Sequence, residues 1–183
     1  TGGAYWELLD SGTRHWLEDL ELFDDKRGIV VGDKGTVLST TDGGETWEKI
    51  KTNVKENLYA VSFSDDKNGF AVGSGGLILR TTDGGSTWTD QESPLRNNLF
   101  AVEATGQNSA IATGDLGCVL ITEDGGKTWI AWEKNFRGLP PDSAVSHIEP
   151  SAASADVVYV SFDRHKLDDY KPYVFKTADG GKS

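Results

Sequence analysis

TTDGGETW at 40–47, TTDGGSTW at 81–88, TEDGGKTW at 122–129 and TADGGKS at 177–183 are near-copies of one phrase. Their aspartates, Asp42, Asp83, Asp124 and Asp179, are separated by 41, 41 and 55 residues. A fixed period in this range is the signature of a repeat architecture, in which each unit buries its apolar face against its neighbours. The most conspicuous residues of the chain are therefore expected to be scaffold.

Superposing the sequence on itself at a 41-residue offset defines the unit. Leu17, Leu58 and Leu99 coincide, as do Leu20, Val61 and Val102, and both open short alternating runs that suit half-buried strands. GIVVGDKG (28–35), GFAVGSGG (69–76) and AIATGDLG (110–117) follow, each a β-rich run that ends in a glycine-bearing turn. Third strands are expected at 36–40, 77–81 and 118–122, and the DGG turns then lead to fourth strands from Trp47, Trp88 and Trp129. Four short antiparallel strands in about 41 residues are the grammar of a propeller blade. The predicted fold is all-β, a β-propeller of about four four-stranded blades. It reads as one domain over 1–183, with repeats near 7–47, 48–88, 89–129 and 130–183, the last closing with 1–6.

The DGG turn has a mechanical reading. A carboxylate two residues after a threonine can accept backbone N–H bonds across its own turn, and the glycines admit positive φ. The scaffold set is Thr40, Asp42, Gly44, Thr46 and Trp47; Thr81, Asp83, Gly85, Thr87 and Trp88; Thr122, Asp124, Gly126, Thr128 and Trp129; and Thr177, Asp179 and Gly181. Each tryptophan is expected to fold over its turn into the space between blades.

The pattern Ser/Thr-x-Asp-x-Gly-x-Thr-Trp resembles the Asp-box (BNR) repeat of sialidases, xyloglucanases, sortilin-type receptors and photosystem II stability/assembly factors. Over roughly 15–130, the VG-x-x-G…TTDGG-x-TW cadence resembles the assembly-factor type most closely. That resemblance implies a non-enzymatic propeller holding a protein partner. The stretch from Ser146 onward is similar to sortilin-like BNR-repeat glycosyl hydrolase proteins, which implies a sialidase- or xyloglucanase-like glycoside hydrolase, intact or vestigial, as one alternative; a purely structural repeat assembly is the other. The assembly-factor family is associated with an arginine patch, whereas the arginines here are scattered and the net charge is −11.

The composition narrows the partners. A net charge of −11 argues against nucleic acid, which demands a basic footprint. No apolar run approaches the ~18 residues that cross a bilayer. The lone Cys118 reads as a buried thiol, and His15, His147 and His165 lack metal-ligand spacing, so neither metal nor cofactor is expected. Trp16 and Trp132 lie outside the box register and read first as packing residues, second as stacking platforms. The last repeat carries the extra length. Part of it is the connector at 135–143, and part is an expected loop at 163–172 on the face opposite the boxes. Asp163, Arg164, His165, Asp168, Asp169 and Tyr170 form the candidate ligand-binding loop there, for a protein or glycan. Adjacent carboxylates such as Asp168 and Asp169 rarely serve one reaction centre, and no catalytic residue is assigned. The expected location is secreted or periplasmic. Trp6 aligns with Trp47, so three arrangements stay open: a fragment of a larger ring, a half-ring completed by a second copy, or a closed ring of four blades.

Overall fold

A computed structural model describes residues 7–131, 136–140, 142–151 and 153–178. The first sheet comprises β1 (Leu17–Leu22), β2 (Gly28–Gly32), β3 (Thr36–Thr40) and β4 (Glu48–Ile50). The second comprises β5 (Leu58–Phe63), β6 (Gly69–Gly73), β7 (Ile78–Thr81) and β8 (Thr89–Asp90). The third comprises β9 (Leu99–Gly106), β10 (Ser109–Gly114), β11 (Val119–Thr122) and β12 (Ile130–Ala131). Among the described residues the fourth sheet has three strands: β13 (Ala144–Ser151), β14 (Ser154–Arg164) and β15 (Asp169–Thr177). Each sheet is an antiparallel meander in chain order, as expected of propeller blades.

The second and third strands of the first three sheets read as continuous apolar runs because both of their faces are covered. Ile29, Val31 and Val37 of the first sheet interlock with Leu58, Val61, Ala71, Leu79 and Trp88 of the second. Phe70, Val72 and Ile78 do the same against Leu99, Val102, Leu120 and Trp129 of the third. Ile111 and Val119 meet Val145, Ile148, Val158, Val160 and Phe162 of the fourth. The first strand of each sheet packs on the first strand of the next, so β1, β5, β9 and β13 line the inner side of the arc. Two hydrogen bonds stitch these inner strands together. The Val61 amide donates to the Asp19 carboxylate at 2.9 Å, and the Ala104 amide donates to the Ser62 hydroxyl at 3.1 Å.

The strand bounds depart from the sequence reading in small ways. The first strands run from Leu17 and Leu58, three residues before the alternating runs expected at Leu20–Phe23 and Val61–Phe63, and the fourth strands start one residue after the tryptophan. The proposed closing strand at 1–6, and Asp179 and Gly181 of the fourth box, lie outside the described residues. Among the described residues, the strand-to-strand packing that joins consecutive sheets has no counterpart of similar extent between sheets one and four.

Candidate functional site

The two ends of the sheets differ in chemistry. At one end lie the DGG turns, and three of them have the same wiring. The Thr46 amide and hydroxyl donate to the two oxygens of Asp42 at 2.9 and 2.6 Å, while the Thr40 hydroxyl donates to Asp42 and accepts from the Gly44 amide. Asp83 with Thr81, Gly85 and Thr87 repeats this set, as does Asp124 with Thr122, Gly126 and Thr128. Donation from the Thr46 side chain and amide holds the Asp42 carboxyl below its ordinary value, and the same bonds from Thr128 hold Asp124 at about 2. Burial pushes Asp83 upward, but donation from Thr87 and Thr81 outweighs it.

Gly85 and Gly126 both have φ of +83° and sit against the preceding blade. A Cβ at Gly85 would meet the Ile29 side chain at 2.8 Å. The tryptophans close the turns from inside. Trp88 and Trp129 are buried, the Trp88 indole N–H donates to the Gly85 carbonyl at 2.9 Å, and Trp129 stands edge-on to Phe70 across the blade boundary. The first three boxes thus use their aspartates internally; Thr177 of the fourth ends β15.

Tight 3₁₀ turns, Asp33–Gly35, Ser74–Gly76 and Asp115–Gly117, occupy the opposite end. They are tied to the connectors that enter the blades. The amides of Asp33, Ser74 and Asp115 donate to the carbonyls of Trp16, Asn57 and Asn98, each at 2.9 Å. The Asn57 and Asn98 side chains accept from the turns of the preceding blades, at the Lys34 and Gly75 amides. A cleft of about 450 Å³ opens here between the second and third blades, lined by Glu56, Gly75, Asp90, Glu92 and Arg96 among others.

The segment at 163–172 is not the open loop that the sequence suggests. Asp163 and Arg164 end β14, His165–Leu167 form a 3₁₀ turn, and Asp169 and Tyr170 already belong to β15. Arg164 faces Asp169 in the β14–β15 register, so the extra residues lengthen a hairpin. The reason is local satisfaction of charge. Asp169 accepts from the Tyr173 hydroxyl at 2.8 Å and lies 3.2 Å from the Arg164 guanidinium, which also donates to the Ser143 hydroxyl. Asp163 accepts from both the amide and the ring of His165. Asp168 holds the left-handed turn position at φ +56°. These residues are brought to one hairpin end, with Tyr170 exposed beside them, but Asp163 is held by His165 and Asp169 by Arg164. Trp16, read first as packing, is exposed: it stands at the repeat position of Asn57 and Asn98, at the start of the first blade.

Two features lay beyond the sequence reading. Arg80 is buried between the second and third blades, its guanidinium 4.5 Å over Phe70, donating to Asn68 and to the Gln107 carbonyl. Ser39 stands at the equivalent position one blade earlier and leaves a cavity of about 230 Å³ lined by Phe23, Arg27, Asp66 and Asp83. On the inner strands, Glu21, Glu103 and Glu149 occupy one repeat position, opposite Ile29, Ile111 and Tyr159. Burial first, then repulsion from Glu149 and Glu21, pushes Glu103 up to about 7. Neither is visible without the register that brings 41-residue neighbours together.

Residues 2–165 match the family described as photosynthesis system II assembly factor YCF48. This chain belongs to that family. Among solved structures, YCF48 bound to D1 peptide is 25% identical with a TM-score of 0.69, covering 87% of this chain and 53% of its own. YCF48 from Cyanidioschyzon merolae is 24% identical with a TM-score of 0.70, covering 94% of this chain and 59% of its own. The GH74 enzyme of Niastella koreensis, at 17% identity and a TM-score of 0.66, covers 88% of this chain and 27% of its own, and shares the fold alone. The chain therefore spans between half and three-fifths of the length of the YCF48 structures it matches. No match was found among curated proteins.

Proposed function

We propose that this YCF48-family chain is a non-catalytic propeller module that binds an extended segment of a protein partner on the face opposite the DGG turns. The observation that carries the reading is the similarity to YCF48 in its complex with a D1 peptide. The chemistry of the two faces supports it. The described DGG aspartates are consumed by their own turns, whereas the 3₁₀-turn face exposes Trp16, Leu116 and Tyr170 and also holds a cleft lined by Glu56, Asp90, Glu92 and Arg96. Exposed aromatic residues supply contact area at low entropic cost, and the acidic cleft with a net charge of −11 favours a neutral to basic segment.

A fluorescence anisotropy titration with the labelled D1 peptide tests this. Saturable binding is expected, weakened by Tyr170→Ala or Trp16→Ala and unchanged by Asp83→Asn at equal folded fraction. Loss of binding on Asp83→Asn with stability intact would reassign the site to the DGG face. Release of reducing sugar from xyloglucan, abolished by replacing a carboxylate in the chain, would replace the binding reading with a hydrolytic one.

A further inference from the structure

The first strands of the first three sheets share one irregularity. Glu18, Tyr59 and Phe100, one period apart, are each skipped by the ladder to the second strand. Leu17 and Asp19 pair with consecutive residues of β2, as Leu58 and Ala60 do with β6 and Leu99 and Ala101 with β10. A β-bulge of this kind re-aims a side chain. Phe100 is accordingly 43% exposed, although Leu99 and Val102 on the same strand are 0% and 6%. Tyr59 and Phe100 meet across the blade boundary, with ring centroids 5.4 Å apart and planes tilted by 43°. Sheets one and four pack on the outer sides of β5 and β9, yet the aromatic pair stays open.

The surroundings of the pair say what it can hold. It stands at the 3₁₀-turn end of the inner strands. Glu56 and Arg96 line the cleft between the second and third blades, and the chain runs directly from them into β5 and β9. Strands β1, β5 and β9 carry Glu18, Asp19, Glu21 and Glu103 and neither lysine nor arginine. A wall of one sign concentrates ligands of the opposite sign, and the face of an aromatic ring attracts a cation. An apolar side chain would use the rings alone, whereas a cation uses both features. The guanidinium fits better than an ammonium, because it is planar, weakly hydrated and stacks on aromatic faces.

We propose that Tyr59 and Phe100 seat an arginine side chain of the partner segment, its guanidinium stacked on the rings and drawn in by the carboxylates of the inner strands. The proposal rests on the binding reading above and adds to it the residue type that the chain selects. It also gives the bulges a role, since a regular ladder would leave both rings without this exposure.

Two short acetylated Gly/Ser peptides test this, one with a central arginine and its twin with citrulline, which keeps the shape and loses the charge. Each is titrated into the full chain by nuclear magnetic resonance, following the ring signals of Tyr59 and Phe100. Saturable shifts are expected with the arginine peptide, and binding at least about 5-fold weaker with citrulline. Phe100→Ala should weaken the arginine peptide to a similar degree, and Phe100→Trp should retain it, because tryptophan is the strongest cation–π partner. Phe100 is partly exposed, so both variants should fold, as circular dichroism checks. Equal binding of the two peptides overturns the proposal and leaves the binding reading standing. Binding of neither overturns it as well, and the D1 peptide titration then decides the binding reading by itself. A preference for arginine that ignores Phe100→Ala places the cation elsewhere and also overturns it.

Discussion

Trp47 and Trp88 stand at the same place in consecutive repeats and differ in what lies behind them. Trp88 is 7% exposed, packed on Ile29, Val31 and Val37 of the preceding blade and edge-on to Phe63, with its indole N–H bonded to Gly85. Trp47 is only half-buried, with Leu9 in place of a preceding sheet. A buried tryptophan removes ~150–250 Å² from water, which at ~25 cal/mol per Å² is roughly 4–6 kcal/mol and an upper bound. Large-to-alanine substitutions in cores cost about 3–5 kcal/mol, and the lost indole hydrogen bond falls within that range. Trp88→Ala is therefore expected to cost about 3–5 kcal/mol. Trp47→Ala, with half the burial and no opposing sheet, should cost about 1 kcal/mol. Urea titration followed by far-ultraviolet circular dichroism at low micromolar concentration measures both. Equal costs would refute the argument that the indole works between blades, and a Trp88→Ala loss under ~1 kcal/mol would remove its packing role altogether.

Three further outcomes follow from the geometry. Gly73→Ala should unfold the chain or cost more than about 3 kcal/mol, because its Cβ would lie far inside contact distance of the Asn57 carbonyl oxygen; thermal melts check this. The DGG carboxyls are held low in the folded state, Asp124 at about 2 against ~3.9 unfolded, so they stabilise above the unfolded value. That stability is lost as pH falls from about 4 to 2, and Asp124→Asn should flatten this part of a melting-temperature profile. Glu103 runs the other way. The folded state keeps its proton up to about 7 while the unfolded chain releases it near ~4.3, so stability falls as pH rises through that window. Glu103→Gln should raise stability at pH 8 by about 1 kcal/mol after allowance for solvent screening, and by nothing at pH 4. An equal effect at both values would show that the raised Glu103 carboxyl, pushed up by burial first and by Glu149 and Glu21 second, is not the cause.

The candidate site was only partly legible in the sequence. The extra residues at 163–172 were visible as a departure from the period, but their structure depended on pairing. Once Arg164 lies across from Asp169 and Tyr173 can reach the same carboxylate, the segment is more stable as an extended hairpin than as an open loop. The buried guanidinium of Arg80 was equally hidden. Nothing local distinguishes it from a surface arginine until Phe70 and the Gln107 carbonyl converge on it.

The sequence alone determined the repeating unit, the DGG turns and the all-β blade grammar, because each rests on interactions within a few residues. Thr40, Asp42, Gly44 and Thr46 close their turn whatever surrounds them, and the alternation of each strand needs only a pleat. Only the tertiary structure decided which equivalent positions are covered. Leu20 and Val61 occupy the same place in the unit, and no local property of either predicts that one is open and the other sealed. Burial between blades is set by the neighbour one period away, a relation between sheets that repeat spacing suggests but that only packing makes real.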